Sequence, residues 1–162
     1  MTRRPASTRP GTPGTHLFDE QTTPARENMY SANIDGAARG NPGPASYGVV
    51  VRDPRGAVLA RLSKSLGRAT NNVAEYFALI AALDYAAAHG IPALRVESDS
   101  ELLVRQMCGL YKVKSRELRP LFERAVKMSR WLEAFVIEHV PRERNREADA
   151  LANQALDKRI DS

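Results

Sequence analysis

Residues 47–89 read YGVVVRDPRGAVLARLSKSLGRATNNVAEYFALIAALDYAAAH, and the fold is decided here because the spacing of apolar residues changes part-way along. Residues 47–52 hold a run of β-branched valines, and 58–66 set Val58, Leu62 and Leu66 among polar neighbours, so both segments read as strands. The turn string Asp53-Pro54-Arg55-Gly56 joins them at hairpin distance, which predicts antiparallel neighbours. Beyond Thr70 the period becomes helical: Val73, Phe77, Ile80, Leu83 and Ala87 form one stripe, and Gly90 with Pro92 ends it. A helix over 73–89 is expected.

Outward from this stretch, residues 30–35 form a further strand, separated from 47–52 by the turn-rich string GNPGP at 40–44. Downstream come a short strand at 94–97, a short helix at 100–108, and a longer helix at 118–132 with Pro120 in its first turn. A strand at 135–140 and a closing helix at 147–156 complete the series. The order βββαβααβα predicts an α/β fold: a five-stranded mixed sheet, an antiparallel three-strand meander followed by β-α units, with helices on both faces. There is no internal repeat.

At 162 residues and 17.9 kDa the chain is long enough for one domain with a real core. Apolar residues at 43% and charged residues at 27% exclude fibrous and fully disordered classes. No apolar run reaches the roughly 18 residues that span a bilayer, and the longest, over 77–88, is broken by Asp84. No apolar segment follows Arg3 and Arg4 before His16, so cytoplasm is the expected location. Cys108 is the one cysteine, which rules out an internal disulfide and a thiolate zinc site. A net charge of +5 leans toward polyanionic partners. Residues 1–28, rich in Pro, Thr and Ser, read as a disordered tail ahead of a domain at 29–158.

Four acids stand at the ends of the expected elements: Asp35 closing the first strand, Glu75 opening the long helix, Asp99 just past the fourth strand, and Asp149 on the last helix. In an open sheet these ends share a crevice, and clustered carboxylates repel one another unless a hard cation such as Mg²⁺ joins them. Each acid also has a plain alternative. Asp35-Gly36 is a common turn pair, Asn72-x-x-Glu75 is a helix-capping pattern, Asp99 or Ser98 could cap the next helix, and Asp149 could be a solvated helical acid.

The strings around the acids are NIDGAARGNPGPASYGVV at 33–50, TNNVAEYFALIAAL at 70–83, ESDSELLVRQM at 97–107 and HVPRERNREADALAN at 139–153. Together, and in this order, they resemble ribonuclease HI over about residues 30–156. The resemblance implies an endonuclease that cuts the RNA strand of RNA·DNA hybrids, leaving 5′-phosphate and 3′-hydroxyl ends. Asp35, Glu75, Asp99 and Asp149 match the family's metal-binding acids. Two Mg²⁺ ions, or Mn²⁺ in their place, would sit about 4 Å apart and serve both ends of an in-line displacement. By the family pattern Asp35 bridges the ions, Asp149 holds the one that activates water, and Glu75 and Asp99 hold the one on the leaving-group side. Substrate contacts implied in the same way are Gly36, Gly40 and Asn41 toward ribose hydroxyls, and Thr70, Asn71 and Asn72 toward the DNA strand. Ser115 would complete a phosphate pocket. Turn formation for Asn41 and N-capping for the Thr70 block stand as alternatives.

Two features depart from many members. The loop before the last acid, PRERNRE at 141–147, lacks a histidine, so no catalytic histidine is assigned; Arg142, Arg144 or Arg146 could bring positive charge there. His139 reads as a packed or edge residue, and His16 and His89 as surface residues. The family's basic protrusion is reduced to LYKVKSRELRP at 110–120, whose Lys112, Lys114, Arg116 and Arg119 remain as phosphate contacts. Weaker hybrid binding is therefore expected. Trp131 is expected in the core on a stripe with Phe122, Ala125 and Met128. The expected working form is a monomer with the RNA·DNA hybrid as partner and no membrane. The alternative in another class is a catalytically silent hybrid-binding module, which ordinarily requires loss of an acid.

Overall fold

A computed structural model describes residues 28–161. The elements are β1 (Tyr30–Ala38), β2 (Gly43–Arg52), β3 (Val58–Ala69), α1 (Asn71–Ala88), β4 (Ala93–Ser98), α2 (Glu101–Met107), α3 (Arg119–Ser129), β5 (Ala134–His139) and α4 (Arg146–Asp161), with a 3₁₀ turn at Arg142–Arg144. Apart from Asn28, the tail expected over 1–28 lies outside the described residues.

The strand order is β3-β2-β1-β4-β5. β1 and β3 flank β2 antiparallel, whereas β1–β4 and β4–β5 are parallel, so the expected mixed sheet is the observed one. The β2–β3 turn is held by Asp53, whose Oδ1 accepts the N–H groups of Arg55 and Ala57 at 2.9 Å each. α1, α2 and α3 cover one face, with Ile34, Val49, Val96 and Phe135 of the sheet packed among Leu79, Leu83, Leu103 and Met128. α4 covers the other face over β1 to β3, burying Ala148, Ala152 and Leu156.

Two glycines let these helices approach. A Cβ on Gly36 would lie 2.5 Å from the carbonyl carbon of Ala74 in α1. On Gly48 it would lie 2.8 Å from the N of Ala152 and from Leu151 Cβ in α4. Ser46 Oγ donates to the Ala152 carbonyl at 2.5 Å beside that contact.

The structure corrects three expectations. β1 does not end at Asp35 but runs on to Ala38, and β2 begins at Gly43 rather than Tyr47, so the connection between the two strands shrinks to 39–42. Arg39 N–H bonds Pro44 O at 2.8 Å across that turn, and Gly40 takes φ +100° in it. In α1, Phe77 and Ala87 are exposed, because sheet and α3 both press on the helix and bury a broad face centred on Tyr76, Leu79, Leu83 and Ala86. α3 stops at Ser129, and Trp131 is 62% exposed rather than in the core. Ser129 Oγ bonds Val126 O, Trp131 N–H bonds Met128 O in a tight turn, and Glu133 N–H then bonds Pro92 O to enter β5. That turn leaves the indole facing outward.

Candidate active site

Asp35 lies in the interior of β1, 5% exposed. Its register partner is Gly48, and residues paired across a sheet share a face, so Asp35 points to the side that α4 covers. Gly36 faces α1, and its N–H donates to Glu75 Oε1 at 3.1 Å. The α1 start is capped by Thr70, whose Oγ1 accepts Val73 N–H at 3.2 Å. Glu75 is therefore free of capping duty and its carboxylate reaches across to β1.

Asp99 is the residue after β4, brought beside Asp35 by the parallel pairing of Ile34 with Ser98. The cap of α2 is Ser100, whose Oγ accepts Leu103 N–H at 3.2 Å, so Asp99 too is released from capping. One carboxylate oxygen from each of Asp35, Glu75 and Asp99 lies within 4.8 Å of the others. Asp149, in the opening turns of α4, is near enough to the Asp35 carboxyl to raise its pKa, and it accepts from Asn153 Nδ2 at 3.2 Å. The turn and capping alternatives for Asp35, Glu75 and Asp99 are thus set aside by the geometry.

Burial is the main force raising the Asp35 pKa to about 8; the Asp99 charge, and the hydrogen bond and charge of Asp149, add to it, while the Arg142 guanidinium opposes. Glu75 is likewise pushed well above the usual carboxylate range, by burial first and then by Asp35 and Asp99, with the Gly36 N–H opposing. Without a cation Asp35 keeps its proton at neutral pH. The donor set is all oxygen, converges from three elements, and is short of positive charge. It fits a hard divalent cation such as Mg²⁺ or Mn²⁺.

The substrate residues expected from sequence fall into three places. Gly36 spends its N–H on Glu75, and Gly40 and Asn41 form the exposed β1–β2 turn. Asn41 Oδ1 accepts Asn71 N–H at 3.0 Å, which ties that turn to the head of α1, where Thr70 caps and Asn72 is exposed. Ser115 stands apart ahead of α3, its Oγ accepting Leu118 N–H at 3.2 Å. His139 is exposed on the edge strand β5 and His89 on the surface after α1; His16 lies outside the described residues.

Sequence reasoning passed over a buried polar network under the site. Asn145 is 1% exposed; its Nδ2 donates to Ile34 O at 2.8 Å and its Oδ1 accepts from Asn33 Nδ2 at 3.1 Å. Asn33 Nδ2 also donates to Glu97 Oε1 at 3.1 Å, and Glu97 pairs with Arg95. The available signal was alternation along β1, which places Asn33 on the same face as Asp35.

The family described as reverse transcriptase-like matches residues 33–155. Ribonuclease HI of Halobacterium salinarum is 44% identical over 134 residues, covering 83% of this chain and 67% of that protein. The chain belongs to the ribonuclease HI family. The crystal structure of ribonuclease H1 from the same archaeon has a TM-score of 0.78 at 44% identity, covering 80% of this chain and 98% of that one. The N-terminal ribonuclease H domain of a Mycobacterium tuberculosis protein, solved as a fusion, has a TM-score of 0.78 at 46% identity, over 80% of this chain and 94% of that one. The chain spans 34% of the whole mycobacterial protein, named as bifunctional. LC11-RNase H1, solved in complex with an RNA/DNA hybrid, has a TM-score of 0.78 at 43% identity, over 82% of this chain and 99% of that one. A ribonuclease HI chain is a nuclease hydrolase, and its three gathered acids offer the oxygens a metal requires. No helix among the described residues is long and apolar enough to cross a membrane.

Proposed function

We propose that this ribonuclease HI cuts the RNA strand of RNA·DNA hybrids internally, by a two-metal-ion mechanism that leaves 5′-phosphate and 3′-hydroxyl ends. The observation that carries the reading is the convergence of Asp35, Glu75 and Asp99 oxygens, with Asp149 near enough to act on Asp35, in a chain similar to a ribonuclease H1 seen with a hybrid. Bound Mg²⁺ or Mn²⁺ would supply a nucleophilic water at neutral pH and charge stabilisation at the leaving 3′-oxygen. Asp35 would be shared between the two ions, Asp149 would serve the water side, and Glu75 and Asp99 the leaving-group side. Gly36 acts through the carboxylate that its N–H holds in place. Arg142, whose charge already acts on Asp35, offsets part of the negative charge when a phosphate arrives.

Recognition of the two strands is assigned to neighbouring pieces of one surface. Gly40 and Asn41 meet ribose hydroxyls, while Thr70, Asn71 and Asn72 meet the DNA strand; the Asn41–Asn71 bond keeps the two groups in register. Ser115 adds a phosphate contact from the segment ahead of α3. The same reading takes the working form to be a cytoplasmic monomer.

The test is cleavage of end-labelled RNA·DNA, RNA·RNA and DNA·DNA duplexes of one sequence with Mg²⁺, Mn²⁺ or EDTA. Internal cutting of the hybrid alone, dependent on metal, is the expected result. Hybrid binding without cutting would replace this reading with the silent-module alternative.

A further inference from the structure

We propose that Asn145 is a positioning residue that holds Asp149 against Asp35 by clamping the first turn of α4 onto β1. The inference rests on the function proposed above for its catalytic consequence and on the hydrogen bonds alone for its structural one. Asp149 enters the site from α4, whereas Asp35 lies on the central strand, and nothing in the covalent chain fixes their separation. Asn145 spans it. Its side-chain Nδ2 donates to the carbonyl of Ile34, the residue before Asp35, at 2.8 Å, and its own carbonyl accepts Asp149 N–H at 3.1 Å. One residue therefore bonds the neighbour of one acid and the backbone of the other.

The amide is itself oriented. Asn33 Nδ2 donates to Asn145 Oδ1 at 3.1 Å, which leaves the amide nitrogen to face Ile34. Asn33 is in turn bonded to Glu97, and Glu97 to Arg95, so the clamp stands on the two parallel strands β1 and β4 that also deliver Asp35 and Asp99. Only an amide both donates and accepts at this reach, so aspartate or alanine at 145 would release one end or both. Asn145 is 1% exposed, so solvent cannot replace the lost partner cheaply.

The test compares wild type with Asn145→Ala, Asn33→Ala and Ser129→Ala. The last removes a hydrogen bond at a buried position in α3 remote from the acids and serves as the control for simple destabilisation. The readings are Mn²⁺ affinity by calorimetry on the substrate-free protein, then kcat and KM on the hybrid, all well below each melting temperature. Expected for Asn145→Ala is a loss of about 10- to 100-fold in Mn²⁺ affinity and in kcat with little change in KM, the scale seen when groups supporting metal ligands are removed. Asn33→Ala, which keeps the Asn145–Ile34 bond, should move both readings the same way but less, and it carries the test if Asn145→Ala does not fold. Ser129→Ala should move neither. Mn²⁺ affinity and kcat unchanged in both asparagine variants would overturn the inference while leaving the proposed function standing. A wild type that cuts no hybrid would overturn that function, with the Mn²⁺ affinities still deciding the clamp.

Discussion

Asp35 carries the clearest pH signature. Its pKa of about 8 in the folded protein lies above the ordinary 3.8, so between those values the folded state binds a proton that the unfolded chain has lost. The stability from that proton is full below about pH 4 and is lost as pH rises through about 8. In EDTA, the melting temperature should fall across this window; Asp35→Asn should flatten the slope, and Mg²⁺ should oppose the loss at the alkaline end. Thermal unfolding in a pH series checks all three, and a flat wild-type profile in EDTA would contradict the burial account. On the proposed mechanism, in which Asp35 would hold both ions, the same substitution should cut hybrid cleavage by more than about a hundredfold; single-turnover assays measure this. The three acids that the fold gathers, Asp35, Glu75 and Asp99, were legible because each lies in an unusual string. Asn145 was not, although it stands in the same string as Asp149: its importance comes from meeting Ile34 and Asn33 across the fold, and no local pattern encodes that meeting.

Elements place the acids by contact, and the tightest contacts are at glycine. Gly48→Ala would press a methyl group into the α4 backbone, so α4 must move outward and carry Asp149 with it. The expected cost is about 1–3 kcal/mol of stability, typical of overpacking, read from urea unfolding, together with a lowered kcat. Full activity in that variant would show that α4 can shift without disturbing the acids. At this scale the sequence revealed the type and order of every strand and α-helix described. It misplaced sidedness. Phe77 lay on the expected stripe of α1, yet the buried face is set by two packing partners, the sheet and α3, that periodicity along one helix does not reveal. Trp131 failed for another reason: the stop at Ser129 comes from a side-chain bond and the need to join β5 beside β4, with no Gly or Pro to announce it.

At the scale of the molecule, net charge and its placement govern how the hybrid is met. Lys114, Arg116 and Arg119 line a groove of about 420 Å³ at the start of α3. The slope of log affinity against log salt should fall by about one unit for each of these that contacts a phosphate when it is changed to alanine. Fluorescence anisotropy with a labelled hybrid measures it, and an unchanged slope in the triple variant would place the DNA strand elsewhere. The architecture was legible from the meander followed by β-α units; the acids' grouping depended on β1 lying between β2 and β4. That placement also bears on time. β1 and β4 are separated in the chain by β2, β3 and α1, and Asp149 lies further still, so a late meeting of the repelling carboxylates is the expectation. A cation that relieves the repulsion then has nothing to grip in the early transition state. In stopped-flow experiments Mg²⁺ should therefore leave the refolding rate nearly unchanged and slow unfolding, making the ion a lock on the finished molecule rather than a guide to its making.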